Sequence, residues 1–193
     1  MKPTDPLLIE IPEWIDCPRV ILAAPQAGAG AAMAAAIAES IAHLKPWMPW
    51  AQDAPSPASA ELVMRRMQAD FILRRDLVFQ IYAKKTAKGE RGELLGGTGL
   101  HRIDWEVRRF EIGFWIRASA EGRGYVSEAV QAMASLAFDP LSARRVEIRM
   151  DARNLRSQAV AERCGFEFEG VLRRDTLDVN GEPRDTRVYS RIA

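Results

Sequence analysis

Between Glu111 and Val126 the chain runs from an apolar stretch through a glycine pair into an amphipathic one, and that order restricts the folds open to it. Phe114, Trp115 and Ile116 are the aromatic and β-branched types that a buried strand favours. Gly122 and Gly124 free the backbone to turn sharply and let a ligand approach closely. From Gly124 to Phe138, Val126, Val130, Met133 and Ala137 recur on one helical face. A strand, a glycine loop and a helix N-terminus aim unpaired N–H groups at one point, where the helix dipole adds positive charge. That geometry suits a phosphate or pyrophosphate. A lone Gly-x-Gly serves equally as a tight turn, and taken alone it favours that plainer reading.

The length of 193 residues fits one domain, and 48% hydrophobic with 27% charged residues fits a soluble globular chain that can bury a full core. A net charge of +1 gives no general pull on a polyanion, so no nucleic-acid partner is expected. The arginines at Arg144, Arg145, Arg149, Arg173 and Arg174 are surface charges or local grips for a ligand's phosphates. Cys17 and Cys164 make no disulfide framework, and with His43 and His101 they show no metal-ligand spacing, so no metal is expected. Two isolated cysteines fit a reducing cytoplasm. Val20 to Ala38 carries no charge, but Pro25, Gln26, Gly28 and Gly30 interrupt it, so it is not a membrane span. The acidic Glu10, Glu13 and Asp16 before it exclude a signal peptide.

Met1 to Pro18 is proline-rich and reads as an arm with a short strand at Leu7–Ile11. Residues 19–193 read as a single domain. Its strands are expected at Arg19–Ala24, Leu77–Ala83, Glu93–Ile103, Arg109–Arg117, Arg144–Met150, Phe166–Leu172 and Arg187–Ile192. Helices are expected at Ala27–Leu44, Ser59–Arg74 (with Leu62, Met67 and Phe71 apolar), Gly124–Phe138 and Asn154–Cys164, the last closed by Gly165. Pro46-Trp47-Met48-Pro49-Trp50 cannot continue a helix and forms an aromatic loop. Turns fall at Lys84–Gly92 and Asn180–Gly181. The fold class is α/β or α+β.

Four blocks in order resemble the GNAT superfamily of N-acetyltransferases, of the RimJ/RimL type. They are Pro46 to Trp50; Glu111 to Ile116; Gly122 to Tyr125 with Ser127, Glu128 and Ala129; and Asn154 to Ser157 running on to Cys164 through Gly170. The resemblance covers residues 19 to 193 and implies a mixed, mostly antiparallel sheet flanked by helices. That sheet splays between its fourth and fifth strands, Arg109–Arg117 and Arg144–Met150, with acetyl-CoA as co-substrate in the gap. By the same resemblance the pyrophosphate sits on Gly122, Arg123, Gly124, Tyr125 and Val126, and the pantetheine pairs with the backbone of Phe114, Trp115, Ile116 and Arg117. The sequence departs from the family pattern at Glu121, usually Gln or Arg, and at Val126, usually Gly or Ala.

Acetyl transfer to an amine needs a neutral amine, a donor to the developing oxyanion and help for the thiolate. Asn154 is a helix N-cap by its residue type, and a pantetheine contact by resemblance. Ser157 is by resemblance the donor to the sulfur. Glu111 is the expected general base, with an ion pair to Arg109 or Arg102 as its alternative role. Trp47, Met48 and Trp50 either wall the acceptor site or pack between the first two helices. His101 either lines the cleft on the acceptor side or is structural, Asp175 and Asp178 face the substrate by resemblance, and Cys164 is core. The implied activity moves acetyl from acetyl-CoA to a primary amine, on a peptide N-terminus or a small molecule. A catalytically silent CoA-binding module is the alternative. The resemblance also admits a homodimer.

Overall fold

Residues 5–86 and 89–193 are described by the computed structural model; the middle of the expected Lys84–Gly92 turn and the first residues of the arm lie outside that range. The chain forms β1 (Trp14–Asp16), β2 (Val20–Ala23), α1 (Gly30–Leu44), α2 (Pro57–Ile72), β3 (Leu77–Lys84), β4 (Arg91–Asp104), β5 (Arg109–Ile116), α3 (Tyr125–Phe138), β6 (Arg145–Asp151), α4 (Leu155–Arg163), β7 (Glu167–Leu177) and β8 (Pro183–Ile192). The strands make one sheet in the order β1-β2-β3-β4-β5-β6-β8-β7. Every neighbouring pair is antiparallel except β5 with β6.

The alternation of side chains along the strands divides the core in two. Phe110, Ile112, Val146, Ile148 and Met150 point to one face, where Val130, Met133 and Ala137 of α3 and Ala161 of α4 cover them. On the other face Leu94 and Trp115 pack beneath Met33 and Ile37 of α1 and Ala60 and Met64 of α2. The glycines of β4 make this close layering possible. Gly97 stands where a Cβ would meet the Trp115 ring, and Gly96 where it would press into the backbone of Trp115 and Ile116.

The β5–β6 pairing is short. Only Arg109↔Arg145, Phe110↔Val146 and Glu111↔Glu147 are in register. Beyond them the strands part, and the rest of β5 has β4 on one side and an open wedge on the other.

One expectation changes. The arm has no strand at Leu7–Ile11: Pro6–Leu8 is a 3-10 turn, with Asp5 accepting from the Leu7 N–H. Pro6 fixes φ and Asp5 caps the turn, which together oppose extension. The arm's strand is β1, paired with β2; the splay falls between the two expected segments, now Arg109–Ile116 and Arg145–Asp151, which the added strand makes the fifth and sixth. On α2, Leu62 is exposed while Ala60 and Met64 are buried, because the helix face is set by Ala60, Met64, Met67 and Phe71.

Gly96→Ala is expected to lower the urea midpoint and cost roughly 1–3 kcal/mol, because rigid backbone rather than a movable side chain meets the new Cβ. An unchanged midpoint would show that the strand pair can spread freely.

Candidate active site

The wedge opens into a cleft of ≈ 760 Å³, within the usual range for small-molecule sites. Its floor is the free edge of β5. Arg117 N–H donates to the Leu95 carbonyl at 2.7 Å, and antiparallel alternation therefore turns the amide groups of Phe114 and Ile116 toward the wedge. One of these is already used: His43 Nε2 donates to the Ile116 carbonyl at 3.0 Å.

The Arg117 side chain leaves the cleft. Its guanidinium pairs with Glu39 of α1 and Glu93 of β4, and Glu39 also accepts from the Ser119 N–H at 2.9 Å. This clamp fixes the end of β5 against α1 and sets where the glycine loop begins. Gly122 and Gly124 have φ of +72° and +78°, which L side chains rarely adopt. Nothing lies within 4 Å of a Cβ placed on Gly122, so the loop is open on that side. Arg19 holds its shape, donating to the Arg123 carbonyl at 2.9 Å and to Glu128 at 2.9 Å while lying over the Tyr125 ring.

The N–H groups of residues 122 to 127 find no acceptor among the described residues; the first one used is that of Glu128, which donates to Gly124. The other three helices start differently. Glu61 takes the N–H groups of Gly28 and Gly30 at α1, Ser56 caps α2 and Asn154 caps α4. A run of bare donors at a helix N-terminus is an anion cradle.

Across the wedge, Asn154 Oδ1 accepts from the Ser157 N–H at 3.0 Å, so Asn154 is the cap its residue type suggests. Its side-chain NH₂ has no partner among the described residues, and neither has the Ser157 hydroxyl; both residues line the cleft. Glu121 is held by Arg156 through contacts of 2.7 and 2.8 Å, with His43 Nε2 3.7 Å away. This pair joins the β5 side of the splay to α4 and neutralises the carboxylate at the cradle. The Val126 side chain packs against the main core.

The structure thus gathers Phe114, Trp115, Ile116, Gly122 to Val126, Asn154, Ser157 and Trp47 around one cleft. Met48, named beside Trp47 in the aromatic loop, lines it too, and the structure adds Arg19, His43, Arg156 and Arg163, which sequence reasoning missed. Arg19 directly precedes a strand, but nothing local marks His43 or Arg156 as cleft residues. Trp50 stands outside, exposed, with its ring edge-on to Trp115 at 5.8 Å.

Glu111, His101, Asp175 and Asp178 do not line the cleft. Glu111 lies opposite His101 in the β4–β5 register, on the sheet face away from α3. Burial pushes its carboxyl upward, and Arg102, 3.4 Å away, together with Arg149 and His101, opposes that rise. Asp175 is paired with Arg149 at 2.9 Å. Asp178 caps its own turn and pairs with Arg153. Cys164 is buried beside the Ser127 carbonyl, and burial raises its thiol, as for a core residue.

A mixed sheet parted between two parallel-paired strands, with a bare helix N-terminus at the mouth of the gap, is the arrangement of the GNAT acetyltransferases. The acetyltransferase (GNAT) domain family matches residues 19–167, and the chain belongs to that family. A protein named as an N-acetyltransferase, YdaF of Bacillus subtilis (strain 168), is 41% identical over 99 residues, 51% of this chain and 54% of its own length. Ribosomal-protein-serine acetyltransferase of Escherichia coli (strain K12) is 33% identical over 111 residues, 58% of this chain and 62% of its own. The chain therefore spans little more than half the length of these curated relatives. The fold matches that of RimL, a ribosomal L7/L12 alpha-N-protein acetyltransferase solved with coenzyme A, with a TM-score of 0.84 and 23% identity, covering 93% of this chain and 98% of that one.

The residues present fit coenzyme A: bare N–H groups for its diphosphate and a free strand edge for its amide-bearing arm. Glu121→Gln is expected to leave coenzyme A affinity unchanged or up to about tenfold tighter in calorimetric titration. Arg156→Gln, which leaves Glu121 unpaired at the cradle, should weaken it by about tenfold. Equal affinities in all three proteins would mean that the ion pair stands clear of the ligand.

Proposed function

We propose that this protein transfers the acetyl group of acetyl-CoA to a primary amine by direct attack, without a covalent enzyme intermediate. The observation that carries the reading is the row of unpartnered N–H groups at residues 122 to 127, beside the free edge of β5. Acetyl-CoA supplies an activated acyl carbon as its thioester. The chain's own residues do the rest. The cradle and the β5 edge hold the cofactor between walls from α1 and α4. The Ser157 hydroxyl is a free donor at the end of α4 that faces β5, suited to the departing sulfur.

The acceptor class we favour is a protein N-terminal α-amine. Its support is the relatives' own naming as a ribosomal-protein-serine acetyltransferase and a ribosomal L7/L12 alpha-N-protein acetyltransferase. A small-molecule amine is the competing acceptor, and a panel of peptides and amines separates the two. A silent CoA-binding module loses its motive, since Arg156 neutralises Glu121 and Val126 turns to the core. Two free, buried cysteines suit a protein working in a reducing compartment.

Ser157→Ala should lower kcat by about 10- to 100-fold while acetyl-CoA Kd stays within about twofold, as expected for a group that acts on the leaving thiolate. Full turnover in that variant would remove Ser157 from the chemistry.

A further inference from the structure

Two groups could take a proton from the acceptor, and their surroundings differ. Glu111 is engaged by Arg102 at 3.4 Å and lies near Arg149. His101 is arranged otherwise. Its Nδ1 donates to the carboxylate of Asp76, just ahead of β3, at 2.7 Å. That bond fixes the ring and, in the neutral form, leaves the lone pair on Nε2. Nε2 has no hydrogen-bond partner among the described residues.

The ring's position follows from two glycines. Gly99 of β4 and Gly113 of β5 face each other across the strand pair. A Cβ on Gly113 would fall 2.8 Å from the ring's Cδ2 and 2.9 Å from Nε2, and one on Gly99 would fall 3.2 Å from Nε2. The Cδ2–Nε2 edge of the imidazole therefore occupies a notch that only glycines leave open. Gly113 comes two residues after Glu111, the last β5 residue paired with β6, so Nε2 overlies β5 where the wedge begins, on the sheet face beside the cleft and not in its lining. It is on the face away from α3, the face that also carries Trp115 and, edge-on to it, the exposed Trp50.

We propose that His101 is the general base of the acetyl transfer and that Asp76 is its positioning residue. The inference rests on the acetyltransferase reading above. In this step Nε2 takes one proton from the acceptor ammonium and passes it to solvent. The freed nitrogen lone pair forms the C–N bond to the acyl carbon. The C–S bond breaks with its electrons on sulfur, and the second amine proton ends on that sulfur. One proton is released per turnover. The charged groups around the ring are Asp76 before β3, Arg102 on its own strand and Glu111 on β5. Beyond Glu111 stands Arg149 of β6, itself paired with Asp175 of β7.

The test combines kcat/KM–pH profiles with ¹⁵N NMR of the imidazole, for the full chain and for His101→Gln, Asp76→Asn and Glu111→Gln. The wild type should show an acid limb, and its neutral ring should be the Nδ1–H tautomer. His101→Gln should lose about 100-fold near neutral pH, with the deficit shrinking as the amine deprotonates unaided, and its acetyl-CoA Kd should stay within about twofold. Asp76→Asn should lose about tenfold and shift the tautomer toward Nε2–H. Glu111→Gln should keep the acid limb. His101→Gln turning over within about threefold of wild type, with its acid limb intact, would overturn the proposal. So would an Nε2–H tautomer in the wild type. A wild type that binds acetyl-CoA but acetylates no amine would withdraw the transfer reading and the base role together, and the NMR arm would still report whether the Asp76–His101 pair exists.

Discussion

The parting of β5 from β6 after three paired residues is the feature on which the rest of the molecule depends. A sheet interior normally satisfies its backbone donors and acceptors completely, and leaving them bare in a concave site is costly. Here the exposed amides of Phe114 and Ile116 run straight into the bare N–H groups of residues 122 to 127. The same constraint builds both halves of a site: a strand edge for an amide-bearing chain and a cradle for a diphosphate. A ligand carrying both features in that order completes hydrogen bonds that the protein alone leaves open.

Keeping the wedge open requires bracing, and charge supplies it. Arg117, between Glu39 and Glu93, ties the end of β5 to α1 and β4. Arg19 ties the glycine loop to Glu128 on α3. Glu121 and Arg156 span the lips of the splay. Pairs this exposed contribute little to stability one by one. Their effect is positional, because each joins segments distant in sequence that border the cleft. On the face away from α3 glycines perform the equivalent task by omission: Gly97 admits the Trp115 ring, and Gly99 and Gly113 admit the His101 ring.

Much of this was legible in the sequence, and the exceptions have physical causes. Elements with one buried face announce themselves through periodicity, so β5, β6, α3 and α4 lie within a residue or two of their expected bounds. The strand β1 spans only Trp14–Asp16 and has no pattern to read. The strand β7 runs to Leu177, past Arg173, Arg174 and Asp175, because an edge strand exposed on both faces needs no alternation; Arg174, at φ +52°, marks the irregularity. The cleft's backbone contributors were readable from the glycine loop and the strand before it. Its side-chain contributors from elsewhere were not: His43 reaches Ile116, and Arg156 reaches Glu121, through tertiary folding alone. The link between Asp76 and His101 was hidden for the same reason, although His101 itself stood out as one of only two histidines.

The central claim is that backbone N–H groups, rather than a lysine or a metal, receive the diphosphate of acetyl-CoA. The most direct measurement is a titration of ¹⁵N-labelled protein with acetyl-CoA, following backbone amide shifts and hydrogen exchange. The account predicts saturable shifts and slowed exchange confined mainly to residues 122 to 127, with Phe114 and Ile116 following. Saturable binding that leaves those amides untouched, or no binding at all, would contradict it.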